Sequence, residues 1–396
     1  MKLLFWGDAS DCTSGFGKIT KHVCTELTAL GWDIEILAVN YRGDPHNEPW
    51  PMYAAGANGD QLGLNRINSL IGKIRPDVIL FNNDCGNVAK LLNNYPAIPF
   101  VAYMPVDGEC FEAWTMKTLS KLTLAIWYTK FGMDQAEKLG FTGRSTIIPH
   151  GVDLELFKPM NKDDARRRMN LFSVGLRDVF IVGNVNRNTA RKRMDLTIKY
   201  FSDWIHSRGI SDAYLYLHCF DKDREPSGID IGRYARYLNP DNNRHIILAT
   251  MAGYDTFSGF PVELMPYLYN VFDVQVSTTL GEGWGLPCME GMACGIPQIV
   301  PAWAALAEWP EDAIKVACHD HIVAVNGVVY GVADREMFIA GLDRQYAAWK
   351  ADERVDVPDR TKLEQYNWPR IGRMFHESLR RAIASFVPPV MEAKAE

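Results

Sequence analysis

Residues 281–297 read GEGWGLPCMEGMACGIP, and two carboxylates in this stretch, Glu282 and Glu290, stand eight positions apart. Gly281, Gly283 and Gly285 permit a tight turn and let a ligand approach bare backbone. Pro287 suits the first turn of a helix, where its missing N–H has no partner to lose. Met289, Met292 and Ala293 give that helix an apolar face, and Gly295 with Pro297 ends it. Glu290 lies about two turns in, so both carboxylates can face one cleft at the helix N-terminus. Such an N-terminus offers unpaired N–H groups and the positive end of a dipole, which suits phosphate or sugar oxygens. A carboxylate beside Met289 and Met292 in so apolar a run needs a partner.

A second constellation carries the opposite charge. In the run from Gly183 to Arg193 (GNVNRNTARKR), Arg187, Arg191, Lys192 and Arg193 make a basic cluster of four cations in seven residues with no acid among them. Set after a strand, these cations face the crevice where open α/β sheets bind ligands. A planar guanidinium and a mobile ammonium can neutralise a diphosphate without a metal. Gly15-Phe16-Gly17-Lys18 lies at another strand-to-helix junction. It is neither a P-loop nor a full dinucleotide fingerprint, since Thr20 replaces the third glycine; it reads as a tight structural turn or a phosphate contact. Asp107 precedes Gly108 at the end of a strand, as a turn residue or a group at the cleft edge. His150 before Gly151 reads as a group reaching the cleft or a hydrogen-bonded structural histidine. Asp221-Lys222-Asp223 has the form of a metal-binding D-x-D, but it runs on into Arg224, Glu225 and Pro226 and reads as an exposed turn; no metal site is expected. Thr250 and Met251, at the end of a strand, are candidates to lie against a nucleotide base.

The elements that position these groups alternate. Strands are expected at residues 2–6, 33–39, 77–82, 99–103 and 123–128, with a helix at 16–30 carrying Ile19, Val23, Leu27 and Leu30 on one face. Residues 40–65, rich in proline and glycine, read as an irregular loop. The run to Pro159 reads as a linker, and 160–178 as a polar helix and turn. Strands at 178–183, 213–219, 245–250, 272–277 and 298–300 and a helix at 194–207 repeat the alternation. A last helix is expected over 368–386. Short apolar strands separated by helices argue for α/β domains with parallel sheets.

A chain of 396 residues, 47% hydrophobic and 23% charged, suits two globular domains. Its net charge is −6, and residues 1–158 hold 14 Lys plus Arg against 17 Asp plus Glu. Nothing in that balance supports a nucleic-acid or anionic-membrane surface. The eight cysteines show no C-x-x-C pairing, the pattern of reduced thiols in a cytoplasmic protein. No apolar run is long enough for a transmembrane segment, and MKLLFWGD is too short an apolar run for a signal peptide.

The run E-G-W-G-L-P-x-x-E-x-M-A-C-G-x-P resembles the Glu-x7-Glu signature of retaining GT-B glycosyltransferases of the glycosyltransferase family 4 (group 1) type. The resemblance implies two Rossmann-like domains facing across a cleft: residues 1–158 for the acceptor, 159–367 for a nucleotide-sugar donor, and a C-terminal helix, 368–396, crossing back. It implies that Glu290 holds the ribose and that Glu282, with backbone N–H groups of Gly283, Trp284, Gly285 and Leu286, holds the sugar. Arg187 and Lys192 match the spacing of the family's diphosphate-binding pair, although Asn184 replaces the usual arginine after Gly183. Gly15, Phe16, Gly17, Thr250 and Met251 complete the implied donor contacts. The family places a histidine where Asp107 stands here. The implied reaction is metal-independent transfer to an acceptor hydroxyl, with no cofactor beyond the donor and an unknown acceptor. A glycosyltransferase acting on a modified DNA base, a GT-B phosphorylase or epimerase, and a non-catalytic nucleotide-sugar binder stay open.

Overall fold

Lys2–Asp8 (KLLFWGD) is buried from Leu3 onward, the pattern of a strand covered on both faces. It is β1 of a computed structural model that describes residues 1–56, 60–92, 98–221, 228–239, 244–249 and 260–387. β2 (Asp33–Val39), β3 (Met52–Ala54), β4 (Val78–Asn82), β5 (Phe100–Met104), β6 (Leu124–Trp127) and β7 (Ser145–Ile147) join it in one parallel sheet. The order is β3-β2-β1-β4-β5-β6-β7, so the winding reverses between β1 and β4. The first unit comprises Met1–Val106, Cys110–Gly151 and Tyr366–Glu396.

Its Gly15–Ala29 helix starts where Ser14 accepts the Gly17 N–H at 2.9 Å, while the Ser14 hydroxyl donates to Asp8 at 2.5 Å. A Cβ on Gly17 would lie 2.3 Å from the Cys12 carbonyl oxygen, so this turn admits only glycine there. The Trp368–Ser385 helix opens with Asn367 accepting the Arg370 N–H at 2.9 Å and buries Ile371, Phe375 and Leu379. It packs on the Gly15–Ala29 helix, with Trp368 stacked on His22 at 4.5 Å and Gly372 tight against Glu26.

The second unit comprises Asp107–Glu109 and Val152–Gln365. β8 (Phe180–Asn184), β9 (Ala213–Leu217), β10 (Ile246–Leu248), β11 (Val274–Val276), β12 (Gln298–Pro301) and β13 (Ile314–Val316) form its parallel sheet. Its order is β10-β9-β8-β11-β12-β13, reversing between β8 and β11. β14 (Asp320–Val323) and β15 (Val329–Val332) make a separate antiparallel hairpin. Phe180, Trp204, Tyr346 and Trp349 interlock over one face of the sheet. In the Lys162–Arg168 helix the buried Arg166 pairs with Asp273 at 2.8 Å.

The expected strands and long helices appear with their ends shifted by a few residues. The expected loop at 40–65 is corrected: it contains β3, which pairs in parallel with β2 at the sheet edge. Three half-buried residues just after Pro51 carry no alternation, and a proline is tolerated at the start of an edge strand. Four short strands, β7 and β13 to β15, were not anticipated. Asp107–Glu109, expected with the first domain, group with the second unit. No helix among the described residues is long and apolar enough to cross a membrane.

Candidate functional site

In an open α/β sheet, ligands bind at strand carboxyl ends where the winding reverses. In the second unit that point lies between β8 and β11. The loops leaving those two strands carry the basic cluster and the 281–285 turn. Ala190–Lys192 forms a single 3-10 turn after β8. Arg193 then takes a left-handed conformation, φ 49° and ψ 51°, which costs a residue with a side chain of order 1 kcal/mol. Its surroundings hold it there. The guanidinium clasps Asp195 at 2.9 and 2.8 Å, and the Arg193 carbonyl accepts the Thr278 hydroxyl at 2.8 Å. The Leu280 N–H donates to the Arg191 carbonyl at 2.8 Å, so the two loops are stitched together along their backbones.

Glu282 sits at their junction, 7% exposed. Oε1 accepts the Lys192 ammonium, and Oε2 accepts Nη1 of Arg191 at 3.2 Å. The same Nη1 donates to the Gly281 carbonyl, and Nε of Arg191 faces Asp107 Oδ2 at 3.4 Å. Burial alone would push the Glu282 carboxyl up; Lys192 and Arg191 outweigh it and bring it down to about 2. Burial lowers the Lys192 ammonium to about 8, and Glu282 offsets only part of that. Burial likewise raises Asp107, with Arg191 opposing. The Arg191 guanidinium is pushed up because its two carboxylates outweigh desolvation.

These cations keep donors to spare. Among the described residues, nothing accepts from Nη2 of Arg191, and Lys192 uses one N–H, toward Glu282. The Leu286–Ala293 helix follows with its N-terminus at Gly285, φ 97°, and Pro287 in its first turn. Among the described residues, the Gly283 and Gly285 N–H groups have no hydrogen-bond acceptor. Trp284 is turned inward, stacked on Trp309 at 5.1 Å, which anchors the turn and leaves backbone as its contribution. Glu290 is buried and accepts the Tyr269 hydroxyl at 2.6 Å.

The structure thus brings Lys192, Glu282, Asp107, Gly283, Gly285 and the start of the Leu286–Ala293 helix into one unit. Arg187 is exposed in the loop after β8. The guanidinium beside Lys192 at Glu282 is that of Arg191, which sequence spacing did not single out; its adjacency to Lys192 was the available signal. Tyr330, whose hydroxyl donates to Asp107 at 3.3 Å, and Tyr269 were missed, because neither lies in a motif. Gly15, Phe16 and Gly17 open the first helix of the other unit. His150, also there, is buried with its Nδ1 2.5 Å from the Tyr103 hydroxyl. Burial holds its imidazole down to about 3. Asp221 accepts the Gly232 N–H at 2.7 Å, ordering the next helix. Asp223, Thr250 and Met251 lie outside the described residues.

No family model matches the sequence. It is 26% identical over 222 residues to the D-inositol 3-phosphate glycosyltransferase of Geodermatophilus obscurus, covering 54% of this chain and 46% of that protein. It is 35% identical over 120 residues to the O-antigen chain mannosyltransferase B of Escherichia coli, covering 30% and 31%. The chain therefore spans about half and about a third of these curated relatives. Among solved structures it superposes on sucrose-phosphate synthase from Thermosynechococcus elongatus with a TM-score of 0.75 at 17% identity, covering 97% of this chain and 99% of that one. A glycosyltransferase from Rickettsia africae gives 0.73 at 14%, covering 97% and 99%. The Anabaena protein HepE in complex with UDP and glucose gives 0.68 at 15%, covering 96% and 100%. Two parallel-sheet α/β units with these neighbours across nearly the whole chain make the fold GT-B.

Proposed function

We propose that this chain is a retaining, metal-independent glycosyltransferase of the family 4 type. It moves a sugar from a nucleoside-diphosphate sugar to an acceptor hydroxyl, with the second unit holding the donor. The observation that carries this reading is the Arg191–Lys192–Glu282 cluster at the β8/β11 reversal, beside a helix N-terminus. The likeness to named glycosyltransferases supports it, as does the UDP complex of a protein with the same fold.

In the proposed reaction the donor diphosphate takes the spare N–H groups of Arg191 and Lys192, and the exposed Arg187 adds a further charge. Glu290 accepts from the ribose hydroxyls and Glu282 from the sugar. The bond from the anomeric carbon to the diphosphate oxygen breaks. The acceptor oxygen bonds to that carbon on the same face, and its proton passes to the departing phosphate. Fixed cations stabilise the charge developing on that oxygen without reorganising. Buried thiols such as Cys24, Cys288 and Cys294 suit a reducing compartment, as in the cytoplasm.

Thermal melting with UDP, GDP or ADP, each with and without EDTA, tests the reading. One diphosphate at a hundred times its Kd should add about 2.7 kcal/mol of stability, with or without chelator. No shift with any of the three refutes donor binding; a shift abolished by EDTA refutes metal independence.

A further inference from the structure

Three separate segments converge on Arg191. Residues 107–109 lie against β15, with the Glu109 N–H donating to Val329 at 3.0 Å and the Val329 N–H returning to Glu109 at 2.9 Å. β15 is tied in turn to the 280–282 turn, because the Gly331 N–H donates to the Leu280 carbonyl at 3.1 Å. Both contacts depend on glycine. A Cβ on Gly281 would lie 1.9 Å from the Asp107 carbonyl oxygen, and one on Gly108 would lie 2.7 Å from that of Val329. The result is a short chain of contacts: the Tyr330 hydroxyl donates to Asp107 Oδ1 at 3.3 Å, and Oδ2 is ion-paired with Arg191, 3.4 Å from Nε.

Resting on the donor-site reading above, we propose that Asp107 and Tyr330 are positioning residues for Arg191: they clamp its Nε edge while Glu282 and the Gly281 carbonyl hold Nη1, leaving Nη2 aimed for the diphosphate. A guanidinium is planar, so fixing two of its nitrogens fixes the third. The clamp also opposes ground-state binding. Asp107 adds a negative charge beside the site of an incoming anion, so its removal favours the bound diphosphate while releasing the arginine that must stay aligned as charge develops on the leaving oxygen. An Asp107 that touched the sugar would act on the nucleotide sugar and not on free UDP. A purely structural Asp107 would weaken binding and turnover together.

The experiment is a double-mutant cycle on the full chain. UDP binding is read by calorimetry, and turnover by UDP release from UDP-glucose or whichever common nucleotide sugar the wild type hydrolyses fastest. Asp107→Ala is expected to bind UDP two- to tenfold more tightly and to turn over at least tenfold more slowly; Tyr330→Phe should shift both in the same directions by less. In an Arg191→Gln background neither substitution should change turnover more than twofold, since the group they align is gone. Melting curves of all variants identify any that fail to fold. For those, Asp107→Glu, which keeps the carboxylate that pairs with Arg191, should restore part of the turnover lost in Asp107→Ala. Multiplicative losses in the Arg191→Gln background, or weaker UDP binding by Asp107→Ala, overturn the inference. If the wild type binds no nucleoside diphosphate, the donor-site reading fails instead.

Discussion

Lys192 gives the donor-site reading a pH signature. Its side chain is 14% exposed, and burial holds the ammonium at about 8 in the free protein against an ordinary 10.5. A bound diphosphate supplies anionic oxygens around the same ammonium, so its pKa must rise in the complex. The complex then holds more protons than the free protein above pH 8, and affinity falls as pH rises. If the bound value reaches the ordinary lysine range, Kd weakens about twofold by pH 8 and about elevenfold by pH 9, or ~1.4 kcal/mol. Proton uptake on binding should approach about half an equivalent at pH 8 and nearly one at pH 9. Calorimetric titration with UDP from pH 7.5 to 9, in buffers of differing ionisation enthalpy, reads both quantities. The terminal phosphate is already ionised across this range, since its second pKa is about 6. Lys192→Met keeps most of the apolar stem and should bind weakly with no slope. A flat wild-type profile without proton uptake, or the same slope in Lys192→Met, would refute the assignment of Lys192 to the diphosphate.

The remaining expectations concern its neighbours. Glu282→Gln should leave Lys192 without its buried counter-charge and Arg191 with Asp107 alone, and lower stability by about 3 kcal/mol at neutral pH. The wild-type carboxyl lies at about 2 when folded and 4.5 when unfolded, so its contribution is complete above 4.5 and fades toward 2. Acid unfolding of the variant should therefore be flatter than wild type in that window, and parallel curves would count against the pairing. Glu290→Ala should weaken UDP binding by about 1.5–3 kcal/mol through loss of the ribose partner; unchanged calorimetric affinity would remove Glu290 from the site. Gly281→Ala should destabilise the chain by about 1–3 kcal/mol, since backbone must move to admit the methyl, and a wild-type melting temperature would contradict the close packing on Asp107. Asp221→Ala should leave turnover near wild type, and a loss restored by Mn²⁺ would place the chemistry elsewhere.

Much of the fold was legible because each long element states its own boundaries. The buried run of β1, the Ile19–Val23–Leu27 stripe and the Asn367 cap are local signals that need no tertiary context. The same holds for the Leu286–Ala293 helix, whose glycine entry and Pro287 are written in consecutive residues. What escaped has three or four residues and takes its stability from neighbours. β3 and β7 are edge strands of half-buried residues, and β14 is exposed throughout, so none repeats an apolar pattern long enough to read. Asp107 illustrates the harder case. Sequence continuity assigns it to the first domain, yet Gly108 and Gly281 let its backbone close onto β15 and the 281 turn. A lone glycine shows that something approaches; it does not show what.

The basic cluster shows the same limit for chemistry. Spacing pointed to Arg187 with Lys192, whereas the carboxylate that gives the site its geometry is held by Arg191 and Lys192, neighbours in sequence brought to one side chain by the turn at Arg193. Counted formally, Arg191 and Lys192 are cancelled by Glu282 and Asp107. On the proposed reading, an arriving diphosphate would therefore meet no excess of positive charge at this cluster, and net attraction would not be what selects it. Selection would then come from direction: the Nη2 edge that has no acceptor among the described residues, the remaining Lys192 hydrogens, and the Gly283 and Gly285 N–H groups, all fixed before a ligand arrives. That is why the carboxylates belong in such a site. They hold the cations still, and on the proposed reading that rigidity would come at a cost in ground-state affinity.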